Sequence, residues 1–299
     1  MEKNQLIYVV ETARCGNITH AAEKLHLSQP SLSNQIIQLE RELGIPLFER
    51  CHKRVRPTPA GEVFVREAEL ILQNMSRLKN LMEEYAEQTR GSLRLGALSI
   101  MCSLGIPEMI STFKQNHPGL EIYLTESGSA ALIQDVQENR LDAAFVILRS
   151  ESSLEEGFSA VPLWKSETFV AMPAAWCDED STSITLEQLA RYPLIITESR
   201  FNMNKMILSQ LDAAGLRYTI SCTCNQIDSC LSLVSKEMGV TFCSGETAAY
   251  YHHDNVRLLS FSPPIRRTIY FVYRKNPEYY PILRLFLQEL DSLVPSKSL

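Results

Sequence analysis

The apolar pattern of this chain changes near Gly91. Before that point, apolar residues recur every three or four positions, which is the spacing of amphipathic helices. After it, short apolar strands alternate with helical segments, a pattern that predicts a parallel sheet with right-handed crossover connections. Because 299 residues exceed what one ordinary core holds, we expect two or three domains, with helices first and an α/β region after them.

Two helices separated by a short turn are predicted between Thr19 and Gly44. Thr19 is a candidate N-cap for the first helix, which would run to Leu25, and Ser28 is a candidate N-cap for the second. Pro30 suits the first turn of the second helix, where no backbone donor is needed. Gly44 is predicted to end that helix as a C-terminal cap. The predicted buried stripe of the second helix consists of Leu32, Ile36, Leu39 and Leu43.

The face of the second helix opposite its stripe carries amides, hydroxyls and small apolar groups. Gln and Asn side chains match the donors and acceptors on base edges in the major groove of DNA, and helix N-termini offer free N–H groups to phosphates. An ordinary solvated helix face has the same composition, so periodicity alone leaves both interpretations open. The residues that would face DNA are Gln29, Pro30, Ser31, Ser33 and Asn34.

A short basic segment follows this helix in an otherwise acidic chain. The net charge is −6, yet residues 45–60 contain four cations against the single anion Glu49. From Arg50 to Thr58 the residues alternate without a helical stripe, which predicts a hairpin. Such a hairpin favours the DNA interpretation, because a wing needs basic side chains to reach phosphates or the minor groove. The cations are Arg50, Lys53, Arg54 and Arg56.

A long amphipathic helix is predicted from about Pro59 to Gln88. Its apolar residues keep a three-to-four spacing over the whole length, and a helix of this kind usually packs on a second copy of itself. The alternative is a surface helix that packs on its own domain. The predicted stripe contains Phe64, Ala68, Ile71, Leu72, Met75, Leu78, Leu81, Met82 and Tyr85.

The segment from Ile18 to Gly61 closely resembles the DNA-binding domain of LysR-type transcriptional regulators. The match is nearly continuous, and the later segments agree in order and length with the linker helix and effector region of that family. That effector region has two subdomains and is similar to periplasmic binding proteins. The matching motifs include AA at residues 21–22, SQPS at 28–31, LFER at 47–50 and TPAG at 58–61.

The resemblance implies three regions: a winged helix-turn-helix DNA-binding domain, a linker helix for dimerisation and an effector-binding domain. Within the last, it implies two α/β subdomains, one of them assembled from two stretches of chain. The DNA-binding domain is assigned to residues 1–60, the linker helix to 61–90 and the effector-binding domain to 91–299. Subdomain I is assigned to about 91–161 and 267–299, and subdomain II to about 162–266.

The resemblance also implies that the residues at positions 29, 30, 31, 33 and 34 lie at the DNA and that the basic hairpin is the wing. Many members have arginine where this chain has Asn34. Because asparagine favours adenine and arginine favours guanine, we expect a different base preference. Linker helices and effector regions would pair into a homodimer or homotetramer, with RNA polymerase as a further candidate partner.

Three junctions after predicted strands are the candidate effector site. Ligands of open α/β sheets bind where strands end and helix N-termini point inward, and hydroxyls with free N–H groups suit a small anionic metabolite such as a carboxylate. The family places its inducer in the cleft between the subdomains, at matching positions. The alternative is that these residues only cap helices. The candidates are Ser99, Ile100, Ser127, Gly128, Ser129, Phe201 and Asn202.

Eight cysteines are many for a chain expected in a reducing compartment. No C-x-x-C pair occurs, which argues against a zinc ribbon or a thioredoxin motif, and no metal site is expected. Cys222 and Cys224 alternate as in a strand and would share one face. Some members of the family sense oxidants through two effector-region cysteines, so a thiol-based redox sensor is the alternative function. Buried free cysteines, however, mostly act as small apolar residues.

The sequence contains no recognisable catalytic motif: G-x-S-x-G, the phosphate-binding loop and H-E-x-x-H are all missing. We therefore do not expect an enzyme or a cofactor other than the effector. A secretory signal pattern is not found, and no apolar run approaches the roughly 18 residues of a membrane span, so the cytoplasm is the expected compartment. We expect a ligand-responsive transcriptional regulator whose effector changes the binding and bending of promoter DNA.

Overall fold

The computed structural model describes residues 1–51, 54–86, 91–148, 154–178, 180–197 and 202–293. The chain divides into two compact units, Met1–Glu83 and Glu84–Leu299. The first unit is helical apart from one hairpin, and the second combines strands and helices. Within the described ranges, no helix is both long and apolar enough to cross a membrane.

Three short helices form the core of the first unit: α1 (Lys3–Cys15), α2 (Ile18–Lys24) and α3 (Gln29–Leu43). The predicted N-cap of α3 is confirmed, because the Ser31 N–H donates to Ser28 Oγ at 3.3 Å. Pro30 occupies the first turn, as expected for a residue that lacks a donor. Gly44 ends the helix in the left-handed region with a φ of 71°, which glycine adopts without a steric penalty.

Two details of this segment differ from the prediction. The predicted cap at Thr19 is wrong, because the N-cap of α2 lies two residues earlier: Asn17 Oδ1 accepts from the N–H groups of Thr19 at 2.8 Å and His20 at 3.2 Å. The predicted burial of Leu43 is also wrong, since 40% of this residue is exposed. The core contacts of α3 end one turn earlier, at Leu39.

The predicted basic hairpin is confirmed: β1 (Phe48–Cys51) pairs with β2 (Arg54–Pro57) in an antiparallel register. The carboxylate of Glu40 accepts from the N–H groups of Leu47 at 2.7 Å and Phe48 at 3.0 Å. The N–H of Val55 donates to the carbonyl of Gly16 at 3.0 Å. These bonds attach the hairpin to α3 on one side and to the end of α1 on the other.

The long helix α4 (Pro59–Ala86) begins at the TPAG motif for a geometric reason. The N–H of Thr58 donates to the Leu47 carbonyl at 2.9 Å. The Thr58 hydroxyl donates to the Pro46 carbonyl at 2.8 Å and accepts from the Gly61 N–H at 3.0 Å. A Cβ at position 61 would lie 2.0 Å from the Leu47 carbonyl oxygen. Only glycine therefore lets the helix pass this close to the base of the hairpin.

Strands and helices alternate through most of the second unit, as predicted. Helix α10, strand β7 and the first part of β11 are not predicted by the sequence pattern, because they are short or precede consecutive prolines. The elements are β3 (Gly91–Ala97), α5 (Ile106–Asn116), β4 (Leu120–Glu126), α6 (Ser129–Gln137), β5 (Ala143–Leu148), β6 (Phe158–Pro173), β7 (Ser183–Ile184), α7 (Leu186–Leu189), β8 (Pro193–Thr197), α8 (Asn202–Ala213), β9 (Thr219–Cys224), α9 (Ile227–Val234), β10 (Thr241–Ser244), α10 (Gly245–Tyr251), β11 (Val256–Arg274) and α11 (Pro281–Leu293).

The main sheet is mixed: the predicted parallel pairing holds for its first three strands and does not extend to the strands that follow. Its order is β10-β6-β11-β5-β3-β4, with β7 beside β11. Strands β3, β4 and β5 pair in parallel, whereas β6, β10 and β11 enter antiparallel ladders. The difference arises because two long strands, β6 and β11, run side by side in opposite directions and serve both halves of the unit. A second, smaller sheet pairs β8 with β9 in parallel.

Two main hydrophobic cores lie in the second unit. The first lies around β3, β5, α5 and α11, and Phe286 of α11 is buried within it, so the predicted return of the final helix to the first half is confirmed. The second lies around β10, α8 and the end of β6. Along β6 the contacts change from the first core to the second between Trp164 and Val170, and along β11 they change back between Ile265 and Ile269. The two strands therefore cross between the cores side by side.

Candidate functional site

Helix α3 carries a polar, exposed tip. The residues on its surface include Gln29, Pro30, Ser31 and Asn34. The prediction that Ser33 faces outward is wrong, because only 8% of this residue is exposed. Ser33 follows the fully buried Leu32 by roughly 100° around the helix, so its small side chain lies at the edge of the core face. The tip thus offers amides, a hydroxyl and the free N–H groups of a first helical turn.

The basic hairpin gathers the predicted cations in one short segment after α3. Arg56 is exposed. Arg50 lies in β1 opposite Val55, and Arg54 lies in β2 opposite Cys51. Lys53 falls in the connection between the strands, outside the described residues.

Two of the predicted effector junctions lie side by side at one edge of the main sheet. Strands β3 and β4 are parallel neighbours whose last residues, Ala97 and Glu126, are paired. The chain stays close beyond the strands, because the Ser127 N–H donates to the Ala97 carbonyl at 3.1 Å. The exposed or partly exposed candidates at this edge are Ser99, Ile100, Ser127 and Gly128.

Ser129 has a structural contact at the same edge. It is 7% exposed, and its Oγ accepts from the Ile147 N–H at 3.1 Å, which fastens α6 to the end of β5. A hydroxyl that accepts one hydrogen bond still has a proton to donate. The contact therefore fixes the position of Ser129 and does not use the proton of its hydroxyl group.

The third predicted junction precedes α8. Asn202 is the first residue of that helix, whereas Phe201 lies outside the described residues. The start of α8 is fastened to the end of β8 by the buried Asn204, whose Nδ2 donates to the carbonyl of Thr197 at 2.9 Å and to its hydroxyl at 2.6 Å. The adjacent Met203 is thereby held in a defined position.

The structure adds Arg267, which the sequence pattern does not single out. It lies in β11 between the two cores, and its Nη1 is 3.5 Å from the Sδ of Met203. Among the residues that the structure describes, its Nε is buried without a hydrogen-bond partner. The buried Thr168 of β6 contacts the same sulfur, with its Oγ1 at 3.6 Å. The sequence does place an arginine at the predicted boundary between the two subdomains, and this position could have marked Arg267 as a candidate.

The surroundings of Arg267 leave its charge only partly compensated. Burial lowers the pKa of the guanidinium below its ordinary value, and the nearby Glu246 opposes that shift. Arginine nevertheless stays protonated in proteins. Glu246 accepts a hydrogen bond from Ser166 Oγ at 2.9 Å, and Ser166 is the register partner of Arg267 on β6. A desolvated cation of this kind favours binding of an anion.

A chain of buried hydroxyls connects the two halves of the second unit. Ser103 follows β3, and its Oγ lies 3.1 Å from the Oγ1 of Thr247 in α10. The same Thr247 oxygen lies 2.9 Å from the Oγ of Ser244, the N-cap of α10. All three residues are buried. A rotation of one half against the other would break the link between Ser103 and Thr247.

A separate cavity of about 370 Å³ lies between α5 and β4 and contains none of the predicted effector residues. It is mainly apolar, with Lys114 at its edge, and Tyr123 and Leu124 of β4 are exposed beside or within it. Its lining consists of Met101, Pro107, Ile110, Ser111, Lys114, Ile122 and Leu124. An apolar surface at a sheet edge is suited to contact with another protein chain.

Two family models match the chain. One, described as the LysR substrate binding domain, matches residues 86–294. The other, described as a bacterial regulatory helix-turn-helix protein of the lysR family, matches residues 4–62. Together they span most of both units.

Relatives and solved structures agree with these matches along nearly the whole chain. The DNA-binding transcriptional dual regulator OxyR of Escherichia coli is 28% identical, with 92% of this chain and 90% of the relative covered. An uncharacterized HTH-type transcriptional regulator, YcgK of Bacillus subtilis, is 27% identical with the same coverage. Full-length CbnR in complex with its target DNA has the same fold, with a TM-score of 0.74 at 21% identity over 98% of this chain and 100% of that one. A full-length OxyR variant from Pseudomonas aeruginosa also has this fold, with a TM-score of 0.64 and 24% identity over 100% of this chain and 96% of that one.

Proposed function

The chain belongs to the LysR family of DNA-binding transcriptional regulators, and we propose which of its residues meet DNA and which receive its signal. We assign base recognition to the exposed tip of α3, with the amides of Gln29 and Asn34 as the readers. Pro30 and Ser31 would pack on the groove wall, and the first-turn N–H groups would bind phosphate. The wing cations Arg50, Lys53, Arg54 and Arg56 would neutralise backbone charge. Ser33, being buried, would act by positioning the helix.

We propose that α4 pairs with α4 of a second copy of the chain. Its outer face is apolar and exposed, and Leu78 shows it most clearly with 60% of the residue accessible. Large apolar residues repeated along one helix are unfavourable in water unless another surface covers them. A second contact at the α5–β4 surface would extend the dimer to a tetramer. The exposed apolar residues of α4 include Val63, Ile71, Met75, Leu78 and Met82.

The effector proposed for this member is a small anion, and Arg267 is the observation that supports it. The Arg267 Nε–H is buried and has no partner among the described residues, which costs free energy that a ligand oxygen would recover. The second interaction of the guanidinium is with the thioether of Met203, a weak acceptor that a carboxylate would readily replace. Thr168 adds a hydroxyl beside the same sulfur.

The other candidate residues fit one ligand that spans the two halves. Ser99, Ser127, Gly128 and the free donor of Ser129 would approach from the sheet edge of the first half. Phe201 and Asn202, from the third predicted junction, would approach from the second half, and Ile100 of the first half would add an apolar contact. Closure around such a ligand would stabilise one arrangement of the halves relative to others, and the family function requires this shift to reach the DNA-binding unit.

The proposed function is tested by two measurements on the purified full-length protein. Selection from a random duplex pool should enrich one sequence with two related half-sites, as expected for a dimer. A thermal-shift screen of small carboxylates, each paired with its neutral amide, should give stabilisation by some acids and not by their amides. Stabilisation by the amides alone would contradict an anionic effector, and a failure to enrich any sequence would contradict the DNA assignment.

A second candidate function is redox sensing. Several relatives are named hydrogen peroxide-inducible genes activators, including one from Haemophilus influenzae that is 26% identical. In this chain, the thiols of Cys222 and Cys224 lie within contact distance of each other, which gives the idea a specific location.

A further inference from the structure

Three cysteines meet between β9 and α9. The Sγ atoms of Cys222 and Cys224 lie 3.9 Å apart on one face of β9, and both residues are partly exposed. Cys230 of α9 is completely buried. All three share a small apolar cluster with Ile195 of β8. The described residues contain no group of three or more His, Cys, Asp or Glu arranged to hold a metal ion.

We propose that Cys222 and Cys224 form a reversible disulfide when a hydroperoxide reaches them, and that this bond alters the start of α8. The pair is outside the predicted effector residues and outside the surroundings of Arg267. The disulfide itself requires neither DNA nor effector. Its regulatory consequence rests on the effector cleft proposed above.

The reaction balances with hydroperoxide as the oxidant. The Cys222 thiolate attacks one peroxide oxygen, the S–O bond forms as the O–O bond breaks, and water or an alcohol leaves after protonation. The sulfur of Cys224 then attacks the sulfenic sulfur of Cys222, the S–S bond forms, and the hydroxide leaves as water with the Cys224 proton. Together the two thiols lose two electrons and two protons, and the peroxide is reduced to water, or to an alcohol and water.

Burial determines which thiol attacks the peroxide and which thiol attacks the sulfenic sulfur. It raises the pKa of the Cys224 thiol and raises that of Cys230 to about 12. Because the thiolate is the attacking species, we assign the attack to Cys222 and the second step to Cys224. The complete burial of Cys230 keeps it from the oxidant. The reaction should accelerate as the pH rises.

Formation of the bond must change the strand. The Cα atoms of residues two positions apart in a strand are roughly 6.6 Å apart, near the upper end of the range that a disulfide spans. Closing the 3.9 Å gap between the sulfurs therefore draws the backbone together at Thr223. The backbone of Thr223 is the register partner of Ile196, and that of Cys224 is the partner of Thr197. Strand β9 pairs only with β8 in its two-stranded sheet. A displacement of Thr223 and Cys224 therefore acts on their partners at the end of β8.

Thr197 is connected to the proposed cleft through two contacts. The carbonyl and hydroxyl of Thr197 hold Asn204 in the first turn of α8. The neighbouring Met203 contacts the guanidinium of Arg267. If Thr197 moves, the attachment of α8 weakens and Met203 moves with it. Oxidation would thereby change the position of the Arg267 guanidinium and its ability to bind a ligand.

Peptide mapping of the full-length protein tests the disulfide directly. Residues 218–236 form one tryptic peptide that contains all three cysteines. After hydrogen peroxide treatment and alkylation, we expect this peptide to have lost two hydrogens and to carry one alkyl group, on Cys230. The Cys224→Ser variant should not form the bond, whereas Cys230→Ala and the control Cys102→Ser should. Three alkyl groups on the oxidised wild-type peptide, or loss of the bond in Cys230→Ala alone, would overturn the assignment.

Hydrogen exchange tests the consequence separately. Amide exchange in residues 202–213 should be several-fold faster in the oxidised wild type than in the reduced protein. It should be unchanged by peroxide in Cys224→Ser. A mapped disulfide with unchanged exchange in α8 would overturn the coupling to the cleft. Neither readout depends on an effector, so these results are independent of whether an anionic ligand is found.

Discussion

The Nη1 of Arg267 lies 3.5 Å from the sulfur of Met203, across 64 positions of sequence. The contact joins the strand that passes between the cores to the first turn of α8. A thioether accepts hydrogen bonds weakly, and the Nε of the same guanidinium has no partner within the described part of the chain. Arg267 is thus a buried cation at the point where the two halves meet, and the proposed anionic effector would pair with it there.

Replacement of Arg267 should weaken binding of any carboxylate that stabilises the protein. Hydrogen bonds to charged groups contribute about 1.5–3 kcal/mol, so Arg267→Gln should raise the dissociation constant roughly 10- to 100-fold. Calorimetric titration of the purified variant with a carboxylate from the thermal-shift screen measures this change.

The matched control is Arg266→Gln. Arg266 is the neighbouring residue on the same strand, but its side chain is 71% exposed, and its Nε lies 3.7 Å from Glu167. Such exposed pairs contribute little, so this variant should bind the carboxylate as the wild type does. Equal losses in both variants would mean a general effect of positive charge rather than a site at Arg267.

Asn34 should determine one base of the recognised half-site. It is exposed on α3, and an asparagine amide pairs best with adenine, whereas arginine pairs best with guanine. Selection from random DNA with Asn34→Arg should therefore change one position per half-site from adenine towards guanine and leave the others as they were. An identical consensus for both proteins would remove Asn34 from the set of base-reading residues.

The wing should contribute sequence-independent affinity. Removal of one phosphate contact reduces the dependence of log K on log salt by about one unit. We expect Arg56→Ala to lower affinity for specific and random duplexes alike and to flatten the salt dependence by about this amount for each subunit. Fluorescence anisotropy at several salt concentrations measures it, with Arg191→Ala, an exposed residue of the other unit, as the control that should behave as wild type.

Introduction of a charge on the outer face of α4 should break the dimer. Full burial of a leucine contributes about 1.5–3 kcal/mol, and a carboxylate there adds repulsion between the copies. Leu78→Glu should therefore raise the dimer dissociation constant by about tenfold or more, as measured by sedimentation velocity. Ser76→Glu adds the same charge roughly 200° around the helix and should leave the dimer intact. Dissociation by both variants would point to a loss of helix stability instead.

Local chemistry made much of the first unit predictable. Ser28, Pro30 and Gly44 mark the ends of α3 because their side chains or backbone freedom act within a few residues. The misplaced cap shows the limit of this reasoning: Thr19 and Asn17 can both cap a helix, and the choice depends on where the preceding turn ends. The burial of Ser33 depends on its neighbours in space, and periodicity alone does not reveal them.

The effector half was predictable in its order of elements but less so in its chemistry. The serines after β3 and β4 were found because strand ends and helix starts are visible in the sequence. Arg267 was missed because its meaning depends on Met203 and Thr168, which are distant in sequence and meet it only when β6, β11 and α8 assemble. The mixed sheet was missed for the same reason, since strand direction depends on the long pairing of β6 with β11.

The most direct test of the account measures DNA binding with and without the anionic ligand. The selected duplex is titrated with wild-type protein, Arg267→Gln and Arg266→Gln, with the carboxylate present or absent. We expect the carboxylate to change the affinity or the bending of the DNA for the wild type and for Arg266→Gln, but not for Arg267→Gln at the same ligand concentration. If the carboxylate changes DNA binding by Arg267→Gln as much as by the wild type, Arg267 is not the residue that binds the effector.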